Sequence, residues 1–74
     1  DVLKIDGMFI HNLPCSREDQ VFVRAIVEVA RGLGKKTVAE FVGDAETLKL
    51  LTDIGVDYAQ GHYLSRPVAE ISLP

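Results

Sequence analysis

One alternation runs through these 74 residues and limits the folds open to them. Residues 2–5 are short and β-leaning, closed by the turn dipeptide Asp6-Gly7. Met8-Phe9-Ile10 is apolar but too short to classify, and 11–15 reads as a loop in which Pro14 blocks helix. Ser16 then offers an N-cap, followed by Glu18 and Asp19 in the first turn, where acidic groups suit the helix dipole. A helix is predicted over about 17–33, ended by Gly32 and Gly34. A second strand follows over 37–42, then a turn at Gly43-Asp44 and a helix over 45–54, stopped by Gly55. Val56 to Ala59 forms a third strand, Gln60-Gly61 closes it, and the remainder reads as loop and tail.

The order is therefore β-α-β-α-β with short connections. Crossovers of this kind favour parallel strands and an α/β fold. Three strands cannot close a barrel, which in the (β/α)₈ case needs about 250 residues. The pattern suits the last third of such a barrel or half of a doubly wound sheet. The chain opens directly in a strand-like run without an initiator Met, and is expected to be a piece of something longer.

The first helix sharpens this. Gln20, Arg24, Glu28, Arg31 and Lys35 form one polar stripe, and nearly everything else is apolar. A lone surface helix shows a narrower apolar face, so this one expects cover on more than one side. A missing remainder of the barrel or a second subunit would supply it.

Composition removes other classes. A chain this short makes a small core and holds one domain only. One cysteine excludes a disulfide framework and a cysteine-based zinc site. A net charge of −3 argues against a nucleic-acid backbone binder. No run approaches the roughly 18 apolar residues of a membrane span. No signal peptide opens the chain, so a cytoplasmic location is expected by elimination.

In both parallel architectures the functional rim lies at the C-terminal ends of the strands. Lys4 and Asp6 fall at the end of the first strand, Glu40 near the end of the second, and Gln60 after the third. Each also has a plain reading. Lys4 can be an exposed strand lysine, Asp6 and Gln60 turn residues. Glu40 is harder to dismiss, because a carboxylate within Val38-Ala39-Glu40-Phe41-Val42 needs a partner, a metal or solvent. His11 and His62 lack metal-ligand spacing, and Cys15 has no base beside it. Arg66 before Pro67 is near enough to the rim to meet an anion, or is simply solvated. Gly32-Leu33-Gly34 ends a helix rather than opening one and is no dinucleotide fingerprint.

Three stretches carry a resemblance. Leu3-Lys4-Ile5-Asp6-Gly7-Met8-Phe9-Ile10, Val38-Ala39-Glu40-Phe41-Val42, and the run from Gly55 through Asp57-Tyr58-Ala59-Gln60-Gly61 to Arg66-Pro67 closely resemble the C-terminal third of the EAL domain. That is the bacterial phosphodiesterase domain for cyclic di-GMP. The resemblance implies a modified (β/α)₈ barrel, of which residues 1–74 are a C-terminal fragment. It implies hydrolysis of cyclic di-GMP to linear pGpG with Mg²⁺ or Mn²⁺ in the complete domain, and no metal is expected to be retained by the fragment alone. Lys4 matches the lysine beside the attacking water and phosphate. Asp6 matches the aspartate of the Lys-Ile-Asp motif that supports the metal centre. Glu40 matches the first glutamate of the Ala-Glu-Gly-Val-Glu motif at the metals. Gln60 matches the Gln-Gly glutamine at the substrate site, with Arg66 and Pro67 following as substrate-binding candidates.

Two departures stand out. Phe41 replaces the motif's glycine, a variation compatible with activity. Gly43 replaces its second glutamate, and weaker turnover or substrate affinity is expected from that departure. The signature Glu-Ala-Leu glutamate and most metal ligands of the family lie upstream, so the fragment alone is expected to be inactive. Three readings follow. The parent is a working phosphodiesterase, a degenerate receptor that binds cyclic di-GMP without cleaving it, or a protein-interaction barrel that has lost the nucleotide. The resemblance also implies a GGDEF, PAS or receiver domain upstream, and homodimerisation.

Overall fold

The computed structural model describes residues 1–40, 43–63 and 66–72, with side chains through residue 60. Strand β1 spans Val2–Ile5, helix α1 Arg17–Gly32, β2 Lys36–Ala39, α2 Ala45–Ile54, β3 Tyr58–Tyr63 and β4 Arg66–Ser72. The four strands form one sheet in the order β1-β2-β3-β4. β1, β2 and β3 are parallel, and β4 returns antiparallel on β3. The parallel α/β segment is thus as expected. The tail is not loop, because it supplies a fourth strand.

Both helices start where their caps dictate. Ser16 Oγ accepts the Asp19 N–H at 3.2 Å, and Asp44 Oδ1 accepts the Thr47 N–H at 2.7 Å. Each satisfies a first-turn donor that has no partner within the helix. Gly55 ends α2 in the left-handed region with φ 105°. A side chain there is strained, and its Cβ would also sit 3.0 Å from an Arg31 guanidinium nitrogen. The loop before α1 is tighter than expected. It holds two 3₁₀ turns, Gly7–Phe9 and Leu13–Cys15, and the second takes Pro14 into its first positions. Gln20 Nε2 donates to the Leu13 carbonyl at 2.9 Å and ties that turn to α1.

The core lies between the helices and one face of the sheet. Val23, Val27 and Ala30 line one stripe of α1, and Thr47, Leu51 and Ile54 one stripe of α2. Ile5, Ala39 and Ala59 meet Val23, Val27, Leu51 and Ile54 in one apolar cluster. Ala45 is exposed, and Thr47 is the residue buried in the first turn of α2. No helix among the described residues is long and apolar enough to cross a membrane.

Two strand boundaries moved. β2 ends at Ala39, so Glu40 follows the strand, and positions 41 and 42 lie outside the described residues. β3 begins at Tyr58 rather than Val56 and runs through Gln60-Gly61 to Tyr63. Asp57 explains the later start. Its Oδ2 accepts from the Thr37 N–H at 2.9 Å and the Thr37 hydroxyl at 3.2 Å, while its own N–H donates to Thr37 Oγ1 at 3.2 Å. A side-chain clasp therefore replaces the first rung of the β2–β3 ladder.

The Asp44 cap gives a test with a definite sign. The Thr47 backbone N–H holds the Asp44 carboxyl below its ordinary value. A depressed carboxyl stabilises the fold above the unfolded-state pKa, and that stabilisation is lost as pH falls through the lower folded value. Asp44→Ala is expected to cost about 1 kcal/mol at neutral pH. Urea unfolding of both proteins should show the difference shrinking in strong acid.

Candidate active site

The register of the parallel strands sets the site. Ile5, Ala39 and Ala59 form one row across β1, β2 and β3. All three are buried against the helices. Side chains alternate along a strand, so the rows before and after face the other way. The row before is Lys4, Val38 and Tyr58. The row after is Asp6, Glu40 and Gln60. Its start is anchored by the Glu40 N–H, which donates to the Ile5 carbonyl at 3.1 Å and carries the β1–β2 ladder one step past the strand.

The alternation thus places Lys4, Glu40 and Gln60 on one face of the sheet; their common end was expected from the sequence, and their common face comes from the register. Lys4 and Glu40 are diagonal neighbours, since Val38 is the residue directly opposite Lys4. Adjacent strands lie about 4.8 Å apart, which puts consecutive members of the Asp6-Glu40-Gln60 row within side-chain reach. Lys4 and Asp6 are exposed, and Glu40 and Gln60 half-buried. Neither Lys4 nor Glu40 has an ion-pair partner among the described residues, where one bridge, Arg31 to Glu28, is formed.

Asp6 and Gln60 carry features that their letters did not reveal. Asp6 Oδ1 accepts the Met8 N–H at 3.0 Å and caps the turn that leaves β1. The turn reading of Asp6 is therefore correct, and the same contact fixes the carboxylate at the strand end. Gln60 sits at a register shift, where Ala59 faces Ile71 but Gly61 faces Val68. One residue of β3 there opposes two of β4. Bulges of this kind re-aim side chains and recur beside active sites.

Arg66 and Pro67 stand opposite Tyr63 and His62, toward the far end of β3. They are two to three residues past Gln60, roughly 7–10 Å along the strand. Their side chains lie outside the described residues, as does that of His62. His11 and Cys15 are exposed and apart from the rows. Among the described residues no three His, Cys, Asp or Glu side chains come together as a metal cluster. Two residues were missed from sequence. Tyr58 shares a row with Lys4, and Asp57 fixes the start of β3. The register reveals Tyr58 and the Thr37 hydrogen bonds reveal Asp57, since neither has a distinctive local pattern.

Comparison with known proteins decides the family. A family model described as the EAL domain matches residues 1–67. The chain belongs to the EAL domain family. A relative from Shewanella oneidensis, the cyclic di-GMP phosphodiesterase PdeB, is 45% identical over 67 residues, covering 90% of this chain and 8% of that protein. Cyclic di-GMP phosphodiesterase PdeA of Borreliella burgdorferi is 39% identical over 67 residues, covering 90% of this chain and 10% of that protein. The crystal structure of an EAL domain protein from Listeria monocytogenes EGD-e superposes with a TM-score of 0.83 at 44% identity, covering 92% of this chain and 28% of that one. The PaMucR phosphodiesterase in its c-di-GMP complex gives 0.82 at 39% identity, covering 93% and 28%. The chain thus spans about a tenth or less of the curated relatives' length, and just over a quarter of these solved EAL chains. Its rows of polar residues are one sector of an EAL barrel.

Proposed function

We propose that the complete domain carrying this chain hydrolyses one phosphodiester bond of cyclic di-GMP to give linear pGpG. The observation behind this reading is the convergence of Lys4, Asp6, Glu40 and Gln60 at one end and one face of an EAL-family sheet.

Each residue then has a task suited to its chemistry. The Lys4 ammonium stabilises negative charge growing on the phosphoryl oxygens. Glu40 accepts a proton or ligates a cation, and Asp6 supports it from the neighbouring strand end. Gln60 donates and accepts hydrogen bonds toward the substrate, and Arg66 and Pro67 extend that contact along β4. Hard carboxylate oxygens fit Mg²⁺ or Mn²⁺ by type, but two carboxylates are too few for a full coordination sphere. Asp6 and Glu40 would hold part of such a site, and the rest of the domain the remainder. When bound, the ions lower the pKa of water and stabilise the attacking and leaving oxygens. By itself the chain is expected to be inactive. An upstream GGDEF, PAS or receiver domain, a homodimer and a cytoplasmic location belong to the same reading.

Gly43 favours one second reading, a receptor that binds cyclic di-GMP without cleaving it. It stands exposed just before the α2 cap, where the family motif has a glutamate. The test is pGpG production by the complete domain with Mg²⁺ or Mn²⁺, before and after Gly43→Glu. Restoring the glutamate is expected to raise kcat or lower KM severalfold. A domain that binds cyclic di-GMP yet yields no pGpG in either form is a receptor.

A further inference from the structure

β3 is the least secured of the three parallel strands. β1 and β2 share four register pairs, from Val2–Lys36 to Ile5–Ala39, whereas β2 and β3 share two, Val38–Tyr58 and Ala39–Ala59. On its other side β3 pairs with β4, but there the register shifts between Ala59 and Gly61, at Gln60 itself. The β4 ladder therefore does not fix where Gln60 stands. Its place relative to Glu40 depends on how β3 is set against β2.

The Asp57–Thr37 clasp makes that setting. Continuing the register one residue back brings Thr37 opposite Asp57. Two hydrogen bonds from Thr37 converge on Asp57 Oδ2, at 2.9 and 3.2 Å, and the Asp57 N–H returns one to Thr37 Oγ1 at 3.2 Å. Thr37 is 1% exposed, so its N–H and hydroxyl have no water to replace the carboxylate. A pair bonded in both directions resists sliding along the strand as well as separation, and register decides which side chains share a row. Asp57 itself stays away from the substrate face. It lines a pocket of about 270 Å³ with Val27, Ala30 and Arg31 of α1, on the helix side of the sheet. Gln60 is three residues further, about 10 Å along the strand, in the row that faces the other way.

We infer that Asp57 and Thr37 are positioning residues for nucleotide recognition: their clasp sets the register of β3 so that Gln60 stands beside Glu40 on the opposite face. The inference rests on the reading of Gln60 as a substrate contact. It holds for a domain that cleaves cyclic di-GMP and for one that only binds it.

The test compares the complete domain with Asp57→Ala, Asp57→Asn, Gln60→Ala and the Asp57→Ala/Gln60→Ala pair. The readouts are kcat and KM for pGpG production, or the calorimetric Kd for cyclic di-GMP in a domain without turnover. Asp57→Ala and Gln60→Ala are each expected to raise KM or Kd about 10-fold. The kcat should change less than about 3-fold, because a contact made equally in the ground and transition states moves KM alone. The double variant should match Gln60→Ala within about 2-fold, since the clasp then has no side chain left to place. Asp57→Asn should stay within about 3-fold of the unaltered domain, because one amide oxygen can accept both Thr37 bonds. A merely structural Asp57 gives another pattern: fewer folded molecules lower kcat at an unchanged KM, and that result overturns the inference. Losses that multiply in the double variant overturn it too. An Asp57→Asn domain as impaired as Asp57→Ala assigns the effect to charge facing the pocket's Arg31, Lys35 and Lys36, and also overturns it. A Gln60→Ala domain with unchanged affinity shows instead that the reading of Gln60 is wrong, and the inference falls with it. Should Asp57→Ala not fold, Thr37→Val decides. It keeps the volume and removes two of the three bonds, so KM should rise and Thr37→Ser should restore it. An unchanged KM in Thr37→Val contradicts the clasp.

Discussion

Glu40→Gln in the complete domain is expected to lower pGpG production by at least about 10²-fold, because a metal-assisted site loses a charged group where water must be activated near neutral pH. Binding of cyclic di-GMP should fall much less than turnover, since the group acts mainly on the transition state. Steady-state kinetics with Mg²⁺ or Mn²⁺ and a separate binding titration give the two numbers. The position justifies the size of the effect. Glu40 follows β2 directly, its N–H is held by the Ile5 carbonyl, and continuing the register one residue puts its position between Asp6 and Gln60. The substitution keeps the shape, removes the charge and turns one acceptor oxygen into an NH₂ donor. Equal losses in binding and turnover would instead mark Glu40 as a substrate anchor.

Leu51→Ala is expected to destabilise the chain by about 3 kcal/mol, through the lost transfer energy of the side chain and the cavity left behind. Leu51 is fully buried, in the cluster where α2 meets Ile5, Ala39 and Ala59. A single core of this size rarely supplies more than about 3–5 kcal/mol. The variant should therefore populate unfolded chain at room temperature, which circular dichroism under urea titration would register. Leu50→Ala, partly exposed on the next position of the same helix, should cost distinctly less.

The helices were legible because their ends are written in single residues. Ser16 and Asp44 cap, Gly55 turns left-handed, and each prediction needed only local chemistry. The strands were less legible, for reasons that are not local. β3 starts at Tyr58 because Asp57 clasps Thr37, twenty positions earlier in the chain. It then runs through Gln60-Gly61, which reads as a turn, since a register shift opposite β4 absorbs the irregularity. β4 itself was read as loop and tail, and it opens on Arg66-Pro67, where a proline within a run argues against a central strand. At the sheet edge that objection lapses, because the outer side of the strand needs no donor. Of the site, Glu40 announced itself as a carboxylate beside an apolar run. The shared rim of Lys4, Glu40 and Gln60 was legible from their place at strand ends, and their shared face needed the register. The double duty of Asp6, as rim residue and turn cap, needed the Met8 contact to be seen.

The central claim is that residues from separate strand ends act as one site. A double-mutant cycle on pGpG production tests it most directly, with Lys4→Ala, Glu40→Gln and the pair in the complete domain. Groups acting on one transition state are strongly non-additive. The double variant should therefore lose far less activity than the product of the two single losses. Losses that multiply, or a Lys4→Ala domain with undiminished turnover, would contradict a single site built across β1 and β2.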